Sequence, residues 1–253
     1  MKNKAMRAAI VAEWRAIGGL GLETGANASL SARVGAAMLI TPRASALEAL
    51  RPDMLAVMPI AGEYGAWRGP FAPSMGWRLH LDIMRARPEA NAIIHCQPTY
   101  ATVLSILKRP IPASHEMIAA FGGPTIRCAD YAPYGTREFA ELAVGALADR
   151  SGALIGNHGL VAIGADLSEA MRRATALETL ARLYYLALAG RPNILPDDDV
   201  LRIIEGLRSG EVRSAPALLK GAKKAARKPA MKDKSAKGRA EKAGEAILSG
   251  RRK

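Results

Sequence analysis

The sequence predicts an α/β domain in which helices pack on the faces of a central sheet. Helical and strand patterns alternate along the chain, and short apolar runs of strand length are followed by turn residues and amphipathic segments. The 253 residues, 49% apolar and 23% charged, supply enough apolar material for one sizeable core. No run of 18 or more apolar residues occurs, so the sequence indicates no membrane span.

The N-terminal part predicts one helix followed by strands. Residues 4–17 carry apolar side chains at helical spacing, and charged residues interrupt them too early for a secretory signal. Without an export signal we expect a cytoplasmic protein, with Cys96 and Cys128 as reduced thiols. A glycine-rich exit follows the helix, and then come strands at 30–34, 37–41 and 54–60, with a turn or short helix at 43–50.

The remainder of the predicted domain alternates helices with buried strands. Residues 77–87 are amphipathic, with a proline just beyond them, and therefore predict a helix. Residues 92–95 form a buried-strand pattern that stops at Pro98, which can open the next helix. Further helices are predicted at 136–148, at 167–188 and from about 197, and a strand pair at 153–155 and 160–163 surrounds a Gly-Asn-His-Gly turn.

The net charge of +13 belongs mainly to the end of the chain. Residues 216–253 contain 13 basic and 3 acidic residues, a net of +10. This segment is rich in Lys, Ala and Gly and cannot bury enough apolar surface to offset its ordering entropy. We predict a folded domain at 1–213 and a basic, disordered tail at 214–253, which binds nucleic acid only weakly and without base specificity.

Two of the four histidines stand where catalysis or metal binding is expected. His95 ends an apolar strand, and His158 lies in the glycine-flanked turn. A polar ring at the mouth of a buried strand suits a metal ligand or an acid/base, and the alternative is a hydrogen-bonded structural histidine, which spacing alone favours. His80 lies in the middle of a helix, where a packing role is expected.

Five longer stretches resemble the class II aldolase/adducin family. They read MLITPRASALEAL, PSMGWRLHLDIMRARPEANAIIHCQPTYATVLSIL, RPIPASHEMIAAFGG, YAPYGTREFAELAVGAL and GALIGNHGLVAIG, in the family's order and spacing. The resemblance implies a three-layer α/β/α domain with a central mixed sheet. It also implies a homotetramer with sites between subunits, and a lyase that breaks carbon–carbon bonds with a divalent metal, zinc being expected.

The family's metal set is altered in this sequence. The resemblance implies three histidines and a glutamate, of which the first and the turn histidine are His95 and His158. The remaining histidine is replaced by Gln97 and the glutamate by Gly76. Because an amide oxygen is a poorer zinc ligand than imidazole and glycine has no side chain, a weakened site formed by His95, Gln97 and His158 is implied.

The resemblance also implies residues that bind substrate. Asn27 and Ser29 lie in the segment that matches the family's phosphate loop, and Ser74 keeps one serine of a pair. Arg43 replaces a threonine, and its guanidinium suits a carboxylate, although a surface role is equally compatible. A small sugar-like substrate or a hydroxy or keto acid is therefore expected.

Glu116 and Tyr134 are the candidate catalytic residues. Glu116 replaces a tyrosine that in the family reaches a neighbouring subunit's site, and Tyr134 stands where the family keeps an aromatic residue near the substrate. The Glu116 carboxylate could supply the acid/base that Gly76 lacks, with His115 beside it to orient it.

Three classes of function remain open from the sequence. The favoured one is a lyase, and the family also contains decarboxylases and epimerases. A non-catalytic binding module is the alternative, for which the adducin head is the precedent. A binder of nucleic acid or acidic partners acting through the tail is the third. The fold cannot separate these classes, because function depends on the site.

Overall fold

A seven-stranded mixed sheet forms the centre of the fold, in a computed structural model that describes residues 3–22, 28–43 and 49–210. The helices are Lys4–Gly19 (α1), Trp77–Ala86 (α2), Thr99–Ile106 (α3), Arg137–Ala146 (α4), Leu167–Ala187 (α5) and Asp197–Ser209 (α6). The strands are Ser29–Val34 (β1), Ala37–Ile40 (β2), Ala56–Pro59 (β3), Ala92–Cys96 (β4), Ile111–Pro112 (β5), Thr125–Ile126 (β6), Cys128–Ala129 (β7), Gly152–Ile155 (β8) and Gly159–Gly164 (β9).

The strand order in the sheet is β3-β2-β1-β4-β9-β8-β7. All neighbours are antiparallel except β7 and β8, which run parallel. The short strands β5 and β6 pair separately. The central strands β4 and β9 are buried along their whole length, which explains their nearly continuous apolar sequences.

Helices cover both faces of the sheet and create two hydrophobic cores. Along β4, Ile94 and Cys96 face the core shared with α1, α3, α5 and α6, whereas Ile93 faces the core shared with α2 and α4. This alternation follows from the two-residue period of a strand. The predicted three-layer α/β/α arrangement is thus confirmed. His95 has the same parity as Ile93 and lies on the α2/α4 side.

Most predicted elements have counterparts within a few residues. The predicted strand at 54–60 is shorter, because Pro52–Met54 forms a 3-10 turn before β3. The two-residue strands β5, β6 and β7 and the 3-10 helix Glu116–Phe121 were not predicted, since elements of this length show too little periodicity.

The predicted domain boundary near residue 213 and the tail at 214–253 lie outside the described residues and stay predictions. The first compact unit of the chain extends to Arg208. Among the described residues, no helix has both the length and the apolar character needed to cross a membrane.

Candidate active site

The ends of neighbouring strands bring the predicted metal-binding residues together. Ser29 of β1 lies opposite His95 of β4 in the sheet register. Strand β9 pairs with the other side of β4, so the turn that contains His158 comes to the same end of the sheet. Gln97 follows directly after β4. Sheet topology therefore gathers His95, Gln97 and His158 into one place.

The side-chain amide of Gln97 lies within hydrogen-bond distance of both imidazole rings. Its nitrogen is 3.5 Å from Nε2 of His95 and 3.4 Å from Nε2 of His158. The two rings are stacked, with centroids 4.9 Å apart and planes inclined by 9°. Both Nε2 atoms consequently converge on the position that the amide group occupies.

Glycines on both sides of His158 allow its turn to approach the neighbouring backbone. A Cβ atom on Gly159, where φ is +151°, would lie 2.4 Å from the carbonyl oxygen of Cys96. One on Gly156 would lie 2.8 Å from the carbonyl oxygen of Ala129. Both distances are well inside van der Waals contact, so glycine is required at both positions. This close approach fixes His158 against the end of β4.

Aromatic side chains from the segment before α4 and from its first turn enclose the two histidines. The ring of Tyr134 stacks on His158 with a centroid distance of 4.6 Å and on His95 with one of 5.6 Å. Buried Phe139 presents its edge to His158 at 5.0 Å. These contacts leave little freedom for either imidazole to rotate.

A buried hydrogen-bond chain holds the opposite side of the His95 ring. Its Nδ1 lies 3.3 Å from Oγ of Ser29, and the same oxygen lies 2.9 Å from Nε2 of His80. The chain continues from Nδ1 of His80 to Oγ of Ser31, at 2.7 Å. All four residues are fully buried.

One arrangement of protons satisfies this chain and the Gln97 contact together. His95 donates Nδ1–H to Ser29, and Ser29 donates its hydroxyl proton to Nε2 of His80. His80 then donates Nδ1–H to Ser31. The Nε2 atom of His95 is left with a lone pair, which can accept an N–H from Gln97 or bind a metal ion.

Burial keeps all three rings neutral near pH 7. It lowers the pKa of His80 from 6.5 to about 3 and that of His158 to about 4. Burial also lowers the pKa of His95 well below 6.5, and the neighbouring His158 and His80 lower it further. A neutral imidazole is the form that binds a metal ion.

The space beside Gly76 is filled by another residue. Gly76 precedes α2, and a Cβ atom there would lie 2.6 Å from the hydroxyl oxygen of Tyr134 and 3.3 Å from Oγ of Ser29. The backbone of Gly76 has a φ of −76°, which any residue can adopt. Glycine at this position therefore reflects the occupied space, not the backbone conformation.

Two of the four predicted substrate-binding residues lie on neighbouring segments. The backbone N–H of Ser74 donates to the carbonyl of Thr41, and that of Arg43 donates to the carbonyl of Ala72. Arg43 is exposed, whereas Ser74 is 5% exposed and its Oγ accepts the N–H of Gly76. Asn27 lies outside the described residues.

Ser29 lies among buried side chains at the end of the sheet. It was predicted to bind substrate, but it is fully buried and its hydroxyl contacts the rings of His80 and His95. This location favours a positioning role for Ser29.

Glu116 is exposed at the start of the 3-10 helix Glu116–Phe121. Its carboxylate makes no hydrogen bond or ion pair with any residue that the structure describes. His115 was expected to orient Glu116, but its Nδ1 accepts the backbone N–H of Met117 at 3.1 Å and caps the helix instead.

The described part of the chain contains no cluster of three or more His, Cys, Asp or Glu side chains able to hold a metal ion. The available donors at the strand ends are therefore two neutral imidazoles and one amide. These fit a divalent ion at reduced strength, because the amide must turn its oxygen toward the ion and no carboxylate stands at Gly76.

Sequence reasoning missed the contributions of His80, Ser31 and Phe139. The signals were weak but present. His80 lies one helical turn after Gly76 and therefore on the same face of α2, and Ser31 has the same strand parity as Ser29. A buried polar pair on one strand face opposite a helical histidine indicates a hydrogen-bonded cluster.

The sequence profile of the Class II Aldolase and Adducin N-terminal domain matches residues 8–185. A 5-methylthioribulose-1-phosphate/5-deoxyribulose-1-phosphate aldolase of Rhodospirillum rubrum is 38% identical over 206 residues, which cover 81% of this chain and 92% of the relative. An L-fuculose phosphate aldolase of Escherichia coli is 38% identical over 196 residues, 77% of this chain and 90% of the relative.

A solved structure of an L-fuculose 1-phosphate aldolase also superimposes on this fold. The TM-score is 0.78 at 33% sequence identity, and the match covers 82% of this chain and 98% of the other.

Proposed function

The chain belongs to the class II aldolase and adducin family and is a lyase of the class II aldolase type, and we propose that it cleaves a ketose 1-phosphate with a divalent metal ion. The observation that supports this proposal most strongly is that Nε2 of His95 and Nε2 of His158 both lie within 3.5 Å of the Gln97 amide nitrogen. The relatives named above are enzymes that act on sugar phosphates, which favours catalysis over the alternative of a binding module.

The metal-binding residues in this proposal are His95, His158 and Gln97, and the proposed ion is zinc. When bound, a divalent ion stabilises the negative charge that develops as the carbon–carbon bond breaks. The protein's own contribution is to hold two imidazoles neutral and correctly oriented. Tyr134 and Phe139 fix the ring planes, and Ser29 fixes the protonated nitrogen of His95.

The anionic group of the substrate is proposed to lie along the rim formed by Arg43 and Ser74. Arg43 provides an exposed guanidinium, which can bind phosphate or carboxylate with two parallel hydrogen bonds. Ser74 lies two residues before Gly76, and its Oγ accepts the N–H of Gly76. Ser74 therefore connects this rim to the position beside the Tyr134 ring. Asn27, which precedes β1 in the sequence, is proposed to contribute as well.

The group that removes the hydroxyl proton of the substrate is proposed to come from a second subunit. Glu116 is exposed on a helix start and has no ion pair with the described residues of its own chain. A homotetramer in which Glu116 reaches the site of a neighbouring subunit would bring a carboxylate to the substrate. This carboxylate would take the hydroxyl proton that must leave when the aldehyde forms.

The proposed function is tested by aldehyde release from ketose 1-phosphates. The purified full-length protein, stripped of metal with a chelator, is assayed alone and after addition of zinc, manganese or cobalt. L-Fuculose 1-phosphate and 5-methylthioribulose 1-phosphate are the first substrates to try. Metal-dependent release of an aldehyde is expected, and no release from any ketose phosphate with any of these ions would contradict the proposal.

Replacing Ser29 by alanine should lower zinc affinity by about 10- to 100-fold, the usual effect of removing a partner that orients a metal-binding histidine. Without the Ser29 hydroxyl, Nδ1–H of His95 has no acceptor, and the ring is no longer held in one tautomer. Calorimetric titration of zinc into both proteins measures the change.

Ser31→Ala is the matched control for this prediction. It removes a buried hydroxyl from the same strand face. Because the Ser31 hydroxyl contacts His80 and not His95, a smaller loss of zinc affinity is expected. Equal zinc affinity in Ser29→Ala and the unmodified protein would show that Ser29 does not position His95.

A further inference from the structure

The hydroxyl of Tyr134 occupies the place where a side chain at position 76 would begin. A Cβ atom on Gly76 would lie 2.6 Å from this oxygen and 3.4 Å from the ring carbon that carries it. Position 76 and the Tyr134 hydroxyl are therefore sterically coupled, and only one of them can hold a functional group there.

The ring of Tyr134 is held rigidly beside the two imidazoles. It is half-buried, stacks on His158 at 4.6 Å and on His95 at 5.6 Å, and meets the edge of Phe139 at 5.4 Å. Three aromatic contacts fix both the plane and the direction of the phenol. Its hydroxyl is thus held in a defined position beside Gly76, at the end of the sheet that carries His95 and His158, and proton transfer requires such defined geometry.

We propose that the Tyr134 hydroxyl is the proton-transfer group on the side of the site that Gly76 leaves without a carboxylate. This inference rests on the proposed function and deepens it. Glu116 of a neighbouring subunit would act on the substrate oxygen, and Tyr134 of the same subunit as the metal-binding residues would act on the substrate carbon. Two different side chains therefore carry out the two proton transfers of the reaction.

The substrate hydroxyl on the carbon β to the ketone gives its proton to the Glu116 carboxylate, the carbon–carbon bond breaks, and the aldehyde leaves. The electron pair of that bond stays on the carbon next to the ketone. Tyr134 donates its hydroxyl proton to this carbon and becomes a phenolate. Through water, the Glu116 carboxylic acid then returns a proton to the phenolate, so no proton is gained or lost overall.

A partial reaction isolates the step assigned to Tyr134. Cleavage of a ketose 1-phosphate leaves dihydroxyacetone phosphate, whose carbon-bound hydrogen exchanges with solvent if the enzyme removes and returns that proton. Nuclear magnetic resonance follows this exchange in D₂O with the zinc-loaded enzyme. We expect Tyr134→Phe to slow exchange by about 100-fold or more, since an acid/base group contributes about 10²- to 10⁴-fold. The control Glu138→Gln, which changes an exposed carboxylate outside the site, should leave exchange nearly unchanged.

The outcomes separate this inference from the function on which it rests. Exchange by the unmodified enzyme that persists in Tyr134→Phe would overturn the role of Tyr134 alone. No exchange by the unmodified enzyme would overturn the proposed lyase chemistry as well. Zinc titration of Tyr134→Phe is the accompanying control, with an affinity within about threefold of the unmodified protein expected; a loss parallel to the exchange rate would mean a structural role and overturn the proposal.

A stability cycle in the metal-free protein tests the steric coupling without any activity. Gly76→Ala should lower Tm by about 3–10 °C, because the new methyl group overlaps the Tyr134 hydroxyl. In the Tyr134→Phe background the same change should lower Tm by about 2 °C or less. Equal losses in both backgrounds would show that the hydroxyl does not occupy this space.

Gly76→Glu in the Tyr134→Phe background completes the test. With the hydroxyl removed, a carboxylate can enter from position 76, and at least tenfold recovery of exchange relative to Tyr134→Phe is expected. No recovery in a folded double variant would contradict the interchangeability of the two groups.

Discussion

Replacing Glu116 by glutamine is expected to lower turnover of a ketose 1-phosphate by about two to four orders of magnitude, the range for removal of a general acid/base. Glutamine keeps the size of the side chain and removes its ability to accept a proton. Because Glu116 is exposed and makes no ion pair with the described residues, folding and Tm should not change. Steady-state kinetics of aldehyde release measure the effect.

Glu138→Gln provides the matched control for Glu116→Gln. It also removes one exposed carboxylate, from the first turn of α4, and Glu138 is not placed in the site. Turnover close to that of the unmodified enzyme is expected for this control. Full turnover in Glu116→Gln itself would exclude the proposed role.

Co-expression tests whether Glu116 acts across a subunit boundary. Glu116→Gln and His158→Ala should each be nearly inactive alone. In mixed oligomers, a site can combine the intact metal-binding residues of one subunit with the intact Glu116 of another, so part of the activity should return. Oligomers that contain both variants and remain inactive would contradict a site shared between subunits.

The second large effect is expected at the turn between β8 and β9. Replacing His158 by alanine should lower zinc affinity by about 100-fold or more, because losing a direct ligand costs more than the roughly 10- to 100-fold effect of losing a residue that only orients a ligand. It removes one of the two Nε2 atoms that converge on Gln97. Aldehyde release should fall with metal occupancy.

His115→Ala is the control for the metal titration of His158→Ala. His115 is exposed, and its ring caps a 3-10 helix, so its removal should leave zinc affinity unchanged. If both variants bound zinc as tightly as the unmodified protein, the ion would not be bound at the turn.

The position of His95 and His158 was predictable from the sequence for a specific physical reason. Apolar runs that end in a polar residue identify strand ends, and the glycines around His158 identify a turn in close contact with neighbouring backbone. Sheet register then forces these residues together. The family motifs supplied the matching order of the remaining site residues.

The contacts of Ser29, His80 and Tyr134 could not be predicted from the sequence. The hydroxyl of Ser29 faces two rings that are 51 and 66 residues away in the chain, and no local pattern encodes such a contact. From the sequence alone, Gly76 indicates only that the family's glutamate carboxylate is absent. Its meaning changes once the Tyr134 hydroxyl is found 2.6 Å from the position of its absent Cβ.

The central claim is that His95, Gln97 and His158 form a metal site in which residue 97 is the weak ligand. Zinc titration into the metal-free protein and into Gln97→His, both without an added histidine tag, tests it most directly. Positions 95 and 97 share strand parity, so a histidine at 97 can place a third imidazole where the amide now lies. Tighter zinc binding by Gln97→His is expected, by about tenfold or more, since imidazole is the better ligand for this ion. Equal affinities, or no zinc binding by either protein, would contradict the claim.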